Sequence, residues 1–349
     1  MSAVSPAEIR TFRVEDDAER DAYVLAHAES SLFHLSGWRK AVQDAFRHEP
    51  RDLLAWRDGR IVGCLPLMRC SRLGGGSHLI SSPYGVYGGP IGETAEDVAG
   101  LVEEAKRMAE KLRVGRLELR CEQDLGLGLE LSDLYVTYVT ELPETPEEVL
   151  ARMPKRARAE VRKARDRHGL VLEEGSEYLD DLIRMFHSSK HALGSPGLPA
   201  KWYRALKRHL GDHLVLHMAK REGEPLACLM SFLFRDTIMV YYIGVAPGAN
   251  HTYSATGFAC AGIQQWAIAN GLKTYDLGRS RSGSGSSKFK KNQGIAPAPL
   301  HYAYHLVKSE GKPTFNPSNP KTAILQKTWR KMPQWLARQL SSPISRYLP

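Results

Sequence analysis

Residues 55–65, AWRDGRIVGCL, return as AKREGEPLACL at residues 219–229. Five of the eleven positions are identical at a constant offset of 164, and Asp58 is matched by Glu222. Each copy reads as a β-hairpin, two apolar strands joined by a turn at Asp58-Gly59 or Glu222-Gly223. The segments that follow keep step. His78–Pro90 carries Gly85-Val86 where Thr237–Ala249 carries Gly244-Val245. A helical pattern then spans Glu96–Leu112 in one half and Ser254–Asn270 in the other, and Thr94 with Asp97 forms a capping box for the first. Short strands close each series, Arg116–Arg120 and Thr274–Leu277, with Glu118 and Asp276 flanked by apolar residues. Hairpin, strand, helix and strand, occurring twice in one order, predict a duplicated α/β unit. Small α/β units of this kind bind ligands where strands splay or end.

A linking segment precedes the second copy. Thr145-Pro146-Glu147-Glu148 predicts a helix start, with Thr145 as N-cap and Pro146 at the first position. Pro154 interrupts that helix and restarts another, which stops at Gly169. The restarted helix, KRARAEVRKARDRHG, has Ala157, Val161 and Ala164 as a narrow buried stripe. Its other faces are almost wholly basic, Arg156, Arg158, Arg162 and Lys163 among them. Like charges at i, i+4 repel by a few tenths of a kcal/mol. The cluster suits a phosphate or nucleic-acid contact, and a solvated face is the alternative.

The richest stretch for chemistry is Tyr275–Gly294, YDLGRSRSGSGSSKFKKNQG. It ends an apolar strand, crosses a run of Gly and Ser, and delivers Lys288, Phe289, Lys290 and Lys291. Small residues let backbone N–H groups approach an oxyanion or phosphate. Lys290 beside Phe289 is placed to set an ammonium against a carbonyl oxygen, and Asp276 at the strand end to accept a proton or orient an amine. The spacing fits neither a P-loop nor a nucleophile elbow. A flexible surface loop with solvated lysines is the competing reading.

A net charge of +9 favours an anionic partner. The early residues lack an apolar leader core, and no apolar run has the roughly 18–20 residues needed to span a bilayer. Five cysteines without C-x-x-C predict neither a disulfide framework nor a zinc site, and a reducing cytoplasm. His187 and His191 lie four apart but lack the Glu of a zinc helix, so a plain helix face is expected. No metal and no cofactor are expected. HLISSPYGVYGGP offers Tyr84 and Tyr87 as pocket walls or as core aromatics. The segment ILQKTWRKMPQWLARQL is basic and amphipathic, and it suits an anionic membrane surface or its own domain.

The repeated unit, the K-R-x-R-x-x-V-R-K-A-R helix, and D-L-G-R-S followed by K-F-K and Gly294 resemble the FemAB-type proteins, with the exosortase/PEP-CTERM-associated subset nearest. The resemblance covers roughly residues 8–340. LFHLSGWRKAV over Leu32–Val42 is similar to the family's N-terminal helix, with Trp38 at its aromatic position. The resemblance implies two tandem GNAT-like (acyl-CoA N-acyltransferase-like) domains of α/β (α+β) class, each a mixed sheet flanked by helices. The expected division is 1–143, with 306–349 packing back on it, and 144–305. Aminoacyl transfer from tRNA to an amine of an envelope or exopolysaccharide precursor is implied. Lys290 after Phe289 matches the family's Phe-Lys pair, which stabilises the ester and the charge formed on attack. Arg279, Ser280 and Lys288 join Tyr84, Tyr87 and Trp38 as expected substrate contacts. The long helical-hairpin insertion of several family members is missing from the second half.

Donor and acceptor remain open between aminoacyl-tRNA, acyl-CoA and a phosphorylated glycan precursor. The loops PIGET and PGANHT do not match a CoA-binding Q/R-x-x-G-x-G/A pattern. A noncatalytic module for nucleic acid or another anion is the alternative from a different class. Peripheral contact of 321–349 with the inner face of a membrane is a further expectation.

Overall fold

The computed structural model describes residues 5–308 and 320–349. The chain divides into two units, residues 1–135 with 299–315 and 346–349, and residues 136–298 with 316–345.

In the first unit Leu53–Arg57 and Arg60–Leu65 form the expected hairpin, with Asp58 and Gly59 both at positive φ (51° and 77°). In the second, Leu214–Arg221 and Glu224–Phe234 do the same, with Glu222 and Gly223 at 51° and 83°. Both turns have the backbone of a two-residue hairpin loop. The likeness extends to an irregularity: the register shifts after Ala55 in one copy and after Ala219 in the other, at the same offset. The copies then diverge. Pro66, with no N–H to donate, separates Arg60–Leu65 from Leu67–Ser71, and these two strands belong to different sheets. At the matching point the second copy keeps one strand through Phe234, with a register shift between Met230 and Ser231.

The first unit therefore holds a four-stranded sheet, ordered Glu8–Thr11, Leu53–Arg57, Arg60–Leu65, Ile91–Gly92. Its six-stranded sheet is ordered Glu49–Pro50, Leu67–Ser71, Ser77–Ser81, Arg116–Cys121, His301–Leu306, Glu130–Ser132. Helix Ala95–Lys111 starts on the reciprocal Thr94/Asp97 capping box. Its Leu101, Val102, Ala105 and Ala109 pack against Leu53, Val62, Leu79 and Leu117. The second unit holds one six-stranded sheet, ordered Val139–Glu141, Thr274–Asp276, Thr237–Val245, Glu224–Phe234, Leu214–Arg221, Val171–Glu174. Only Thr237–Val245 and Thr274–Asp276 run parallel in it. The largely apolar helix Ala255–Ala269 covers one face of this sheet.

Four expectations need correction. Leu32–Val42 is a 3₁₀ turn at Leu32–His34 followed by helix Ser36–Phe46, because Leu35 between them is extended. The linking helix starts at Glu148, and Thr145 contributes a hydroxyl bond to the Glu148 carboxylate at 3.2 Å. The basic helix runs Lys155–Arg162 and widens to a π-turn at Lys163–Arg167 before Gly169 (φ 64°). The C-terminal helices Pro320–Lys331 and Gln334–Ser345 group with the second unit, whereas His301–Leu306 pairs with Arg116–Cys121 in the first. Two bonds show the docking: Gly197 N–H donates to Ser341 Oγ at 3.1 Å, and His191 Nε2 meets the Met332 carbonyl at 2.8 Å. Residues 309–319 of that expected segment lie outside the described residues.

Candidate functional site

The Tyr275–Gly294 stretch does not run on as a loop. Asp276, buried at the end of its strand, accepts the Gly278 N–H at 2.5 Å, and Gly278 turns at φ 64°. Ser284 then caps a helix, Gly285–Asn292, by accepting from the Ser287 N–H at 3.2 Å. A two-turn helix with a side-chain cap thus delivers the lysines. Ser287 and Lys290, three apart, occupy its buried face, Lys288 faces solvent and Phe289 packs against the apolar core of the unit. Gly294 ends the segment at φ 92°, and a Cβ there would meet Pro154 Cδ at 2.8 Å. The glycine is required by both the turn and the contact.

Lys290 Nζ donates to the Gly278 carbonyl and to the Arg279 carbonyl, each at 2.9 Å. Two of the three ammonium N–H groups are thereby fixed on the turn that leaves the strand. The ammonium also lies 5.3 Å from the centroid of the Tyr138 ring, within cation–π range. Tyr138 is fully buried, and its hydroxyl shares a 2.7 Å hydrogen bond with Ser287 Oγ. Burial pushes the Lys290 pKa down to about 8, while the Asp276 carboxylate opposes that shift. The result is an anchored, partly desolvated ammonium that is charged at neutral pH and titrates just above it. Arg279 is half-buried, and the neighbouring Ser280 hydroxyl is buried with no hydrogen-bond partner among the described residues.

The other expected contacts lie elsewhere. Trp38, Tyr84 and Tyr87 belong to the first unit and are buried. Trp38 Nε1 donates to the Pro83 carbonyl at 3.1 Å, and its ring meets Phe33 edge-on. Tyr84 stacks on Phe46 and its hydroxyl meets His48 Nε2 at 3.0 Å. On the basic helix Val161 and Ala164 are buried, Arg156, Arg162 and Lys163 are exposed, and Arg158 is half-buried.

Tyr138 carried no local signal in the sequence. It stands 149 residues from its partner Ser287, and only the pairing of Val139–Glu141 with Thr274–Asp276 brings it in. A cavity of about 190 Å³ in the first unit was also missed. His34, Gly88, Gly89, Arg120 and Cys121 are among its walls. Arg120 there donates to Glu118 at 3.1 Å and to the Gly85 carbonyl at 2.8 Å. The usable signal was Arg120 two residues beyond Glu118, on the same strand face.

Residues 151–291 match the family model described as "Acetyltransferase (GNAT) domain". No curated protein sequence matches the chain. Solved structures match in fold. A crystal structure titled FemX aligns with a TM-score of 0.66 at 14% identity, covering 85% of this chain and 97% of that one. L-PGS from Bacillus licheniformis aligns at 0.54 and 16% identity, covering 91% and 98%. The C-terminal domain of a putative lysylphosphatidylglycerol synthetase from Agrobacterium fabrum aligns at 0.53 and 14%, covering 84% and 93%. The GNAT model thus matches a stretch of the second unit, and over 85% of the chain the fold is similar to that of FemX.

Proposed function

We propose that this chain, with a GNAT domain in its second unit, is an acyltransferase that places an acyl or aminoacyl group on an amine of a cell-envelope or exopolysaccharide precursor. The observation that carries the reading is Lys290: a buried ammonium pinned to two carbonyls at a strand end, with its third N–H left for an oxyanion. The substrate amine attacks the ester carbon of the donor. As the C–N bond forms, the carbonyl electron pair moves onto oxygen and Lys290 donates to it. Collapse restores the carbonyl and expels the donor's ester oxygen, which leaves as a hydroxyl by taking up the proton that the attacking nitrogen loses, passed on through water or Asp276. No covalent enzyme intermediate is needed. One preorganised donor of this kind is worth ~3–4 kcal/mol, and holding the two substrates together supplies much of the rest.

Asp276 has two parts in this reading. It holds the Gly278 turn that presents the carbonyls, and its charge keeps the ammonium protonated against burial. Arg279 and Lys288 take phosphate or carboxylate, and the exposed Arg156, Arg162 and Lys163 take the anionic donor. A fold similar to that of the C-terminal domain titled as a putative lysylphosphatidylglycerol synthetase supports an aminoacyl donor. The description of the matching family as acetyltransferase favours acyl-CoA as the second reading. Among the described residues no helix is long and apolar enough to cross a membrane. Exposed Leu325, Trp335 and Leu340, set among Lys327, Arg330 and Arg338, support peripheral contact with an anionic membrane face.

The test offers the purified chain aminoacyl-tRNAs and acyl-CoAs separately, each with a pool of amine-bearing envelope precursors, and reads product by mass shift. The expected result is product from aminoacyl-tRNA whose rate Lys290→Met cuts by about 10²–10³. Product from CoA alone transfers the reading to the second donor. No product from either, with folded protein, overturns acyl transfer.

A further inference from the structure

Strand Leu214–Arg221 turns Val215, His217 and Ala219 toward the face covered by helix Ala255–Ala269. Val215 and Ala219 join the apolar core there, and an imidazole stands between them, 1% exposed. Neither His217 ring nitrogen has a hydrogen-bond partner among the described residues. A buried polar group left unpaired costs about 1–3 kcal/mol. His217 is also part of the wall of a cavity of about 430 Å³, within the roughly 300–1,000 Å³ of small-molecule sites. The remaining wall is mainly apolar: Val161, Leu170, Leu172, Phe258 and the Trp266 ring, which meets the imidazole edge-on at 4.8 Å.

Phe258, Ala261, Gly262, Gln265 and Trp266 recur at helical spacing and form one face of the covering helix. Cys260, which Tyr275 reaches through its carbonyl at 3.4 Å, is out of phase with that face. The cavity thus lies on a different side of the helix from the one that meets the Tyr275–Asp276 strand. The opposite wall includes Arg165, in the π-turn Lys163–Arg167, a widened geometry common at functional sites.

We propose that this cavity is a second binding site, for a neutral amphiphile: an acyl chain or aromatic body bearing one uncharged hydroxyl or amide that hydrogen-bonds His217. Three observations choose that class. Walls with so few polar partners hold water poorly. Burial lowers the His217 pKa to about 4, so the ring is neutral and offers one donor and one acceptor. The two charged lining residues already have partners, Arg165 an ion pair with Asp166 at 2.7 Å and Glu174 a hydrogen bond from the Trp266 indole N–H at 2.9 Å. Neither a free anion nor a free cation is called for.

The test compares two fluorescent probes that share their rings, neutral N-phenyl-1-naphthylamine and its sulfonated relative 1-anilinonaphthalene-8-sulfonate. The full chain is titrated with each, without donor or acceptor. The neutral probe is expected to bind saturably, one per chain, at least tenfold tighter than the sulfonate. Ala261→Phe, which fills the cavity, should abolish binding. His217→Leu should weaken it five- to thirtyfold while raising the melting temperature. Lys290→Met should bind like the parent, which separates this site from the acyl-transfer reading. Equal affinity for the two probes, or binding that His217→Leu leaves unchanged in a folded chain, overturns the proposal. His217→Leu replaces the ring with an apolar side chain of similar size, so it keeps the test open should Ala261→Phe fail to fold.

Discussion

In the first repeat Glu118 lies on the strand parallel to Ser77–Ser81; in the second, Asp276 lies on the strand parallel to Thr237–Val245. Glu118 is held by two cations of its own strand, Arg120 at 3.1 Å and Arg116 at 3.4 Å. Arg120 also clasps the Ser82 and Gly85 carbonyls, at 3.3 Å and 2.8 Å. Asp276 instead receives a backbone N–H, and the cation that clasps carbonyls is Lys290, from the helix that follows. Both units therefore place a buried cation on loop carbonyls beside a strand acid. The difference is chemical. A guanidinium stays charged at every accessible pH and, paired with Glu118, serves as a clasp. A lysine ammonium under partial burial titrates near 8 and keeps a donor for something else. Under the proposed function, the second repeat is the one that carries the chemistry.

Removing Lys290 gives the largest effect expected from that contrast. Lys290→Met should lower kcat by about 10²–10³, the range for one oxyanion donor, with donor and acceptor affinities changed only a few-fold. Steady-state kinetics with direct binding checks this; loss of affinity with unchanged kcat would mean that Lys290 only binds. In the parent enzyme the ammonium is present below about pH 8, so kcat should fall as pH rises through that value. Lys290→Arg, always charged, should be slower but without that limb. A rise through pH 8 would instead assign Lys290 as a base. The same depressed pKa means the unfolded chain holds its proton more tightly between about 8 and the ordinary lysine value near 10.5. Stability should therefore increase with pH across that window, and Lys290→Met should flatten the increase.

The two acids should answer neutralisation differently. Glu118→Gln leaves Arg120 buried without its carboxylate, a change that typically destabilises by about 3–5 kcal/mol, read as a lower denaturant midpoint. Asp276→Asn keeps an oxygen for the Gly278 N–H and should destabilise less. Because the Asp276 charge holds the Lys290 pKa up, its loss should move the alkaline limb of kcat to lower pH. Glu118→Gln should leave that limb in place. Equal shifts from both variants would erase the distinction between the repeats.

How much of this was legible follows from the reach of each signal. The hairpins were readable because Asp58-Gly59 and Glu222-Gly223 announce positive φ within two residues. The Thr94/Asp97 box announced its own helix. Lys290 stood out in the sequence through K-F-K at the end of a small-residue run. Its anchoring was not, since the run hides a cap at Ser284 and the carbonyls it binds carry no side-chain identity. Tyr84 resembled a pocket wall because an aromatic with a polar tip looks alike in sequence whether the tip meets a substrate or, as here, His48. The return of His301–Leu306 to the first unit depends on pairing with a strand some 180 residues earlier, which no local pattern encodes.

The smallest effect tests the scaffold under the second cation. The first repeat sets Arg120 directly on a strand, whereas the second relies on an eight-residue helix whose stability depends on its ends. Ser284→Ala removes the acceptor for the Ser287 N–H and should lower stability by about 1 kcal/mol. Ser287 ties that first turn to Tyr138, and Lys290 lies one turn on, so fraying there loosens the ammonium. The expected result is a few-fold loss in kcat, restored by Ser284→Asp, which caps equally well. Rescue should leave the pH limb near 8, because Asp276 and burial still set the Lys290 pKa. A loss as large as that of Lys290→Met, or one that Asp does not restore, would place Ser284 in contact with substrate and make the cap incidental.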